Sequence, residues 1–311
     1  MIGEELVRFS LLGIDVTLSR AKRDQDKLEL SDIKVVNQET ITYIKNLAKE
    51  DINRRISSVS RSSTEDLDSL KQCLDHNGIV VIPDFIPELL MKRVSPIIAS
   101  VRDAIARFIQ SDDSLVEEPT VLFQKGTAKL NGYQALSSHE KSVVQVRRGQ
   151  DQGMVDIFNV DRWKQELGEV LRPYFEDPKI LEIMRSDSEQ VRARNLNLYV
   201  NSNVDQTRGF HVDSYSRQLK GFIYLEDCIS LDDGPYTYVK GSHRPSAYTK
   251  LNKHVSSVLP NLTETPSVPL ENILPVLAKK GSLVISDQGG SHRGFPQSNG
   301  HNRVVAVMNY K

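Results

Sequence analysis

Three side chains of the sequence could together hold a divalent metal ion: His211, Asp213 and His292. Residues i and i+2 of an extended strand project to the same side, so His211 and Asp213 would direct an imidazole nitrogen and a carboxylate oxygen to one point. His292 follows an apolar run and a glycine-rich bend, which delivers a second imidazole. Two histidines and one carboxylate are the donor set of non-haem iron(II) centres, which keep positions open for other ligands. The pattern predicts these three residues as catalytic metal ligands.

Arg303 gives this metal site a possible co-substrate contact, at the start of the β-type run of residues 304–307. A 2-oxoglutarate that chelates iron through its keto acid end must bury a distant carboxylate, and a guanidinium with paired donors suits that group. Iron(II), Asp213 and the co-substrate together leave one negative charge, which Arg303 neutralises; an unpaired buried charge would be costly. We therefore expect iron(II), 2-oxoglutarate and oxygen as cofactors.

The elements that must position these residues are short β-type runs separated by glycine, proline, asparagine and aspartate. Many short strands with turn signals predict a jelly roll, and the absence of a glycine-rich phosphate loop argues against a nucleotide-binding α/β fold. We predict a mainly β chain with helical additions (α+β) and a double-stranded β-helix, a cupin-like jelly roll, at about residues 191–311. The runs are residues 191–200, 221–225, 236–239, 282–286 and 303–310.

The preceding part of the chain is predicted to be more helical. Ser62 and Glu65 can form a capping box for a helix that ends at Gly78. A buried strand at residues 79–82 and a helix from Pro87 towards Gln110 follow. Residues 120–158 have an irregular pattern rich in glycine and charge, which favours substrate-contacting loops, and a helix at residues 162–175 follows.

Residues 1–63 differ from the rest and are interpreted as a helical extension that ends in a serine-rich linker, with residues 64–311 as the catalytic domain. An apolar cluster at residues 6–14 and a helical period at residues 41–52 carry this interpretation. Three roles stay open for these helices: docking on the main domain, joining two subunits in a homo-oligomer, or contact with a membrane surface.

Composition and charge narrow the partners. Lys plus Arg is 40 and Asp plus Glu is 41, giving a net charge of -1, so no basic domain of the kind that binds nucleic acid is evident. No apolar run approaches the ~20 residues of a membrane-spanning helix, and Met1 to Arg8 does not read as a signal peptide. Cys73 and Cys228 form no motif. These features favour a cytoplasmic protein; the small-molecule substrate that we also expect is what the family resemblance described next implies.

Residues 66–310 together resemble the phytanoyl-CoA dioxygenase-like branch of the iron(II)/2-oxoglutarate oxygenases. The resemblance rests on the segments 77–85, 233–235, 241–243 and 280–284, the His211-x-Asp213 pair, His292 and Arg303. It implies a double-stranded β-helix and iron, oxygen and 2-oxoglutarate chemistry. Because halogenating relatives replace the carboxylate with a small residue, Asp213 favours hydroxylation or another oxidation, with release of succinate and CO2.

Two departures from the family pattern affect the co-substrate pocket. Gly294 stands where members often carry Ser or Thr as a second co-substrate contact, and Ile223 stands near the place of a common aromatic residue. Asn197, Tyr199 and Lys220 are the candidates to complete the pocket.

Candidate substrate contacts are chosen by their closeness in sequence to the metal motif: Tyr215, Arg217, Tyr236 and Arg293. Arg147, Arg148 and Arg208 are interpreted as solvated charges. His243 is interpreted as a structural histidine in a turn, because the triad is already complete.

The substrate and two rival functions stay open. Residues 12–16 resemble N-terminal segments of proteins from bacterial surface-polysaccharide pathways. This resemblance favours a small polar substrate, either glycan-like or another biosynthetic intermediate. One rival is a cupin-like divalent-metal protein with non-oxidative activity, which would not need Arg303. The other is a catalytically idle jelly-roll binding module, which would not need the triad.

Overall fold

A nine-stranded sheet and a smaller three-stranded sheet organise the chain, whose computed structural model describes residues 6–11, 14–19, 30–185, 190–257 and 263–311. The strands are β1 (Leu6–Leu11), β2 (Ile14–Ser19), β3 (Ile79–Ile82), β4 (Leu115–Glu117), β5 (Val121–Lys125), β6 (Ser142–Val146), β7 (Met154–Phe158), β8 (Ala193–Ser202), β9 (Leu219–Tyr224), β10 (Tyr236–Val239), β11 (Ile273–Pro275), β12 (Leu283–Asp287), β13 (His292–Gly294) and β14 (Asn302–Tyr310). The helices are α1 (Leu30–Lys45), α2 (Lys49–Ser57), α3 (Leu67–Asn77), α4 (Glu88–Gln110), α5 (Tyr133–Ser138), α6 (Gln165–Phe175), α7 (Pro178–Met184) and α8 (Ala247–Ser256).

The two sheets pack against each other. The large sheet has the order β3-β12-β9-β14-β8-β7-β6-β5-β4, and the small sheet has the order β11-β10-β13. Tyr236 on β10 stacks on Phe222 of β9, with 5.1 Å between the ring centroids, and the Tyr238 hydroxyl donates to the Asp287 carbonyl at 3.0 Å. The predicted class, a mainly β jelly-roll architecture with flanking helices, is confirmed.

Helices cover the outer side of the large sheet because their apolar residues recur at helical spacing. On α4 the buried residues are three or four positions apart: Met91, Val94, Ile98, Val101, Ile105 and Phe108. They join one hydrophobic cluster with strand residues such as Val80 and Leu283. Full burial of each such side chain contributes roughly 1.5–3 kcal/mol, so the helical layer fixes the sheet that carries the site.

Helix α3 begins at a capping side chain and ends at a glycine. Asp66 caps it, accepting from the Ser69 amide at 2.7 Å, while the predicted contact between Glu65 and the Ser62 amide is made at 3.0 Å one turn earlier. Gly78 ends the helix at φ 75°, as predicted. A side chain there would also collide with the Tyr238 hydroxyl, 2.3 Å from the position of a Cβ.

The described residues before position 64 are only partly helical. Their apolar segment forms a β-hairpin, β1 paired with β2, instead of the predicted helix, whereas α1 and α2 are helical as expected. Ile44 of α1 is fully buried in a cluster with Phe210, and Val59 joins the main core. The described helices therefore dock on the rest of the chain, and the boundary at residue 63 stays a proposal. Among the described helices, none has the length and apolar character that crossing a bilayer demands.

Residues 120–158, which were predicted to form irregular loops, contain regular strands, so this prediction was wrong. They contribute β5, β6 and β7 to the large sheet, with β5 and β6 parallel and α5 between them. The large sheet thus extends beyond the range predicted for the jelly roll, because β3 from the start of the domain also pairs with β12.

Candidate metal centre and its cavity

His211 and His292 are joined through their backbones. The His211 amide donates to the His292 carbonyl at 3.0 Å, and the His292 amide donates to the His211 carbonyl at 2.8 Å. Residues directly opposite each other in an antiparallel pair place their side chains on the same face, and the two ring centroids are 4.6 Å apart. The pairing brings together imidazoles from distant parts of the chain.

Each imidazole is held in the tautomer that a metal ligand needs. The Nδ1–H of His211 donates to the Gly209 carbonyl at 2.9 Å, and that of His292 donates to the Gly290 carbonyl at 2.9 Å. Such bonds leave Nε2 with its lone pair free. Burial, aided by the neighbouring His292, holds the pKa of His211 well below its ordinary value of 6.5, so this imidazole is neutral and able to coordinate.

Asp213 completes the group, two residues after His211 on the same side. Its Oδ1 lies 3.7 Å from His292 Nε2, while its Oδ2 accepts from Lys220 Nζ at 2.6 Å. Burial alone would raise the pKa of Asp213, but the charge of the Lys220 ammonium and its hydrogen bond outweigh burial and hold the pKa well below its ordinary range. One oxygen is therefore fixed by lysine and the other faces the imidazoles.

The three residues fit a divalent metal ion. One ligand atom from each lies within 4.8 Å of the other two. Bonds of about 2 Å to one ion would place neighbouring ligand atoms roughly 3 Å apart, so a small contraction is enough. The mixed nitrogen and oxygen donors on one face suit iron(II). His243, interpreted as structural, lies outside this group and bonds through its ring to the Asp75 carbonyl at 3.1 Å.

A cavity of about 220 Å³ adjoins the triad. Strand alternation builds one wall: Lys220, Phe222 and Tyr224 of β9 all face it, as residues i, i+2 and i+4 should. The family resemblance suggested an aromatic residue near the position of Ile223. Ile223 does not line the cavity, but its aromatic neighbours Phe222 and Tyr224 do.

Arg303 lines this cavity as predicted for a co-substrate contact. Its side chain is 6% exposed, and Nη1 donates to the Gly234 carbonyl. Its Nε is buried with no hydrogen-bond partner among the described residues. A buried donor without a partner costs about 1–3 kcal/mol, so this guanidinium fits a ligand that supplies an acceptor.

Of the three other predicted co-substrate contacts, two line the cavity and one does not. Tyr199 and Lys220 line the cavity, and burial raises the pKa of Tyr199 to about 12. Asn197, on the same face of β8 as Tyr199, is not in the cavity wall; its Oδ1 accepts from the Asn159 amide at 3.1 Å. The strand alternation was correct, but Asn197 lies beyond the cavity.

Of the four predicted substrate contacts, two line the cavity and two do not. Tyr236 and Arg293 line the cavity, with the Tyr236 hydroxyl 3.1 Å from Ser286 Oγ. Tyr215 instead borders a second cavity of about 240 Å³. Arg217 is turned away, donating to the Met184 carbonyl at 3.0 Å. Closeness in sequence to the triad was a poor guide for these last two residues.

Arg147 and Arg208, interpreted from sequence as solvated, line the cavity as members of ion pairs. Arg147 makes a forked contact with Asp156 at 2.6 and 3.1 Å and reaches Asp151 at 2.9 Å. Arg208 donates to Glu264 at 2.8 Å. Sequence reasoning lacked a signal for these pairs, because the β6–β7 turn that carries Arg147 and Asp151 was interpreted as a loop.

Comparison with known proteins gives structural likeness alone. AviO1 from Streptomyces viridochromogenes Tue57 is 16% identical, with 80% of this chain and 96% of that chain covered and a TM-score of 0.49. The non-haem alpha-ketoglutarate-dependent epimerase SnoN from nogalamycin biosynthesis is 16% identical, with 79% and 82% covered and a TM-score of 0.48. EctD from S. alaskensis with bound Fe is 14% identical, with 82% and 81% covered and a TM-score of 0.48.

No protein-family profile matches the sequence, and no curated protein matches it. Identities and TM-scores this low carry no inference about activity, and membership of the phytanoyl-CoA dioxygenase-like branch stays a sequence-based proposal. The functional interpretation therefore rests on the residues of the site.

Proposed function

We propose that this chain is an iron(II)/2-oxoglutarate-dependent dioxygenase of the phytanoyl-CoA dioxygenase-like type. It would hydroxylate a C–H bond of a small polar metabolite and release succinate and CO2. The observation that carries the proposal is the joint presence, in one cavity, of a metal-binding triad and of Arg303 with an unpartnered buried donor. A non-oxidative metalloprotein or a binding module has no need for both.

Each residue has a distinct task in this proposal. Bound iron would supply the activation of oxygen and the oxidation of the C–H bond. His211 and His292 would hold it through Nε2, and Asp213 through Oδ1, because Lys220 already occupies Oδ2. Arg303 would receive the distal carboxylate of 2-oxoglutarate. The aromatic wall of Phe222, Tyr224 and Tyr236 would keep water from the reacting carbon.

The test is anaerobic visible absorption of purified protein titrated with iron(II) and then with 2-oxoglutarate. We expect a weak charge-transfer band that requires both additions and is absent in His211→Ala. If iron binds tightly but no band forms, keto acid chelation is ruled out and a non-oxidative metalloprotein is the better description. If no metal binds, the binding module remains.

Arg303 provides a second, independent arm of this test. In Arg303→Met, iron binding should persist, while the 2-oxoglutarate concentration at half-maximal band intensity should rise at least tenfold, since a charged hydrogen bond is worth about 1.5–3 kcal/mol. The matched control is Arg93→Gln, which removes one positive charge from a side chain that is 55% exposed. An unchanged 2-oxoglutarate requirement in Arg303→Met would contradict the assignment of this residue.

The setting of the reaction belongs to the same proposal. A cytoplasmic location and a glycan-like or other biosynthetic intermediate as substrate are the sequence-based expectations. Both cysteines are buried and free, which accords with a reducing compartment.

A further inference from the structure

Two guanidinium groups of the cavity beside the triad, not one, keep a buried nitrogen donor with no hydrogen-bond partner among the described residues. Arg303 has a buried Nε without a hydrogen bond, and Arg293 has a buried Nη1 without one. Arg293 is 0% exposed. Its other contacts are neutral: Nη2 donates to Thr207 Oγ1 at 2.9 Å, Nε donates to the Gly294 carbonyl at 3.2 Å, and the Phe210 ring lies 5.7 Å from Cζ.

The remaining cations of the cavity are already paired. Arg147 is held by two aspartates, Arg208 by Glu264 and Lys220 by Asp213. Within the described parts of the chain, no carboxylate lies at ion-pairing distance from Arg293 or Arg303. These two arginines are thus the cations of the cavity that remain available to an anionic ligand.

Gly294 leaves room in the cavity wall. It lines the cavity, and among the described residues other than its two chain neighbours, a Cβ built on it would meet only Thr207 Cγ2, at 3.9 Å. Its backbone is not in the left-handed region that favours glycine. A turn therefore does not require glycine here, and the absent side chain leaves space in the wall of the cavity that Arg293 also lines.

The charges of the site call for one more anion. Taken with their ion-pair partners among the described residues, the five basic residues of the wall exceed the acidic ones by one positive charge: Arg147 has two acids, Arg208 and Lys220 have one each, and Arg293 and Arg303 have none. A divalent metal ion and dianionic 2-oxoglutarate cancel each other. One positive charge then remains in a buried place, which is costly unless a ligand compensates it.

We propose that Arg293 binds a singly charged anionic group of the substrate, a carboxylate or a phosphodiester, while Arg303 takes 2-oxoglutarate. This inference rests on the proposed function, because it assumes that Arg303 binds 2-oxoglutarate and leaves Arg293 for the substrate. It makes the substrate an anion and assigns its recognition to a residue adjacent to the ligand His292.

Acetate and dimethyl phosphate are the probes for this site. The full chain, loaded with nickel(II) and 2-oxoglutarate so that no turnover occurs, is titrated with each sodium salt at constant ionic strength against chloride. Calorimetry and the thermal unfolding midpoint are recorded. We expect saturable binding of one probe with no loss of 2-oxoglutarate affinity; the probe that binds more tightly distinguishes carboxylate from phosphodiester.

Variants assign the binding to the residue. Arg293→Gln should weaken the probe at least tenfold, and Arg293→Lys, which keeps the charge but loses the forked donors, should weaken it less. Arg93→Gln, which removes an exposed positive charge, should bind the probe as the parent does. Far-UV circular dichroism verifies that each variant is folded.

Two results would overturn the proposal. If the probe raises the apparent Kd of 2-oxoglutarate in proportion to its concentration, both anions use one arginine; this arm needs only the parent protein. If neither probe binds more tightly than chloride, Arg293 is structural. If 2-oxoglutarate itself does not bind, the proposed function fails separately, and loss of probe binding in Arg293→Gln but not in Arg303→Gln would still support an anion site.

Discussion

Lys220 lies beside the Asp213 carboxylate that would hold the metal ion. Its positive charge should weaken binding of the metal ion and strengthen binding of 2-oxoglutarate. Its ammonium is 2.6 Å from Asp213 Oδ2, and it is buried in the cavity wall. It orders the carboxylate but repels a divalent cation, and at such separations charge–charge interactions reach several kcal/mol even at an effective dielectric constant of about 20. The same charge attracts dianionic 2-oxoglutarate.

Lys220→Met should therefore separate the two binding events. Iron(II) binding without co-substrate should be as tight as in the parent or tighter, because the repulsion is gone. The affinity of the loaded protein for 2-oxoglutarate should fall about tenfold, the effect of roughly 1.4 kcal/mol. Calorimetric titration under anaerobic conditions measures both constants.

Lys220→Arg, which preserves the charge, is the control and should retain co-substrate affinity better than Lys220→Met. Equal weakening of iron and 2-oxoglutarate binding in Lys220→Met would show that the lysine only positions Asp213.

Prediction from sequence succeeded for side-chain directions that follow from local spacing. The spacing of two residues predicts that His211 and Asp213 direct their side chains to one point, and their ligand atoms lie within 4.8 Å of each other. Residues whose role depends on tertiary placement were missed: Arg147 reaches Asp156 across the β6–β7 pair, and Asn197 lies past the end of the cavity. The sequence predicts which side a strand residue faces but not how far along the strand a cavity extends.

At the scale of elements, five of the seven described strands after residue 191 were predicted, because alternation and turn residues agree there, whereas the three-residue strands β11 and β13 were missed. Strands β5 to β7 were missed because the glycines and charges of the connections, including Gly149 and Gly153, masked short buried runs. The apolar segment of β1 and β2 was interpreted as helical because a short apolar run has no periodicity that distinguishes the two structures.

The turn after β10 is fastened to the end of α3, and this contact should respond to pH. The Nε2–H of His243 donates to the Asp75 carbonyl, and the Gly241 amide donates to the Asn77 carbonyl at 2.8 Å. Burial lowers the pKa of His243 below its ordinary value of 6.5. The folded state therefore binds this proton less readily than the unfolded state does.

The sign follows from linkage. Above pH 6.5 the imidazole is neutral in both states and has no effect. As the pH falls below 6.5, the unfolded chain takes up the proton first, so the free energy of unfolding decreases until the folded-state pKa is reached. His243→Gln should show a smaller loss of stability between pH 7 and pH 5 in urea denaturation.

His76→Gln, at an exposed position of α3, serves as the control and should keep the parent's pH dependence. An identical pH slope in the parent and in His243→Gln would exclude His243 as a contributor.

At the scale of the whole molecule, helix α1 is joined to the site by packing. Ile44 is 0% exposed and clusters with Phe210, the residue before His211. Arg55 of α2 adds bonds to the Leu270 and Ile273 carbonyls at 3.0 and 2.6 Å. The N-terminal helices thus support the segment that carries His211.

Ile44→Ala should lower the free energy of unfolding by about 2–5 kcal/mol, the usual cost of truncating a buried aliphatic side chain. Chemical denaturation monitored by circular dichroism measures the change. Lys45→Ala, at the exposed neighbouring position, should lie within about 0.5 kcal/mol of the parent. A loss of less than 1 kcal/mol in Ile44→Ala would indicate that α1 is not docked in solution.

The reciprocal backbone bonds between His211 and His292 tie the metal site to the completion of folding. These residues are about eighty positions apart in sequence, and closing so long a loop gains nothing until the strands between them have assembled. A partly folded chain would hold only the His211–Asp213 half of the site and would bind metal weakly. A bound ion therefore reports cooperative assembly, and its release should follow the same denaturant midpoint as the loss of secondary structure.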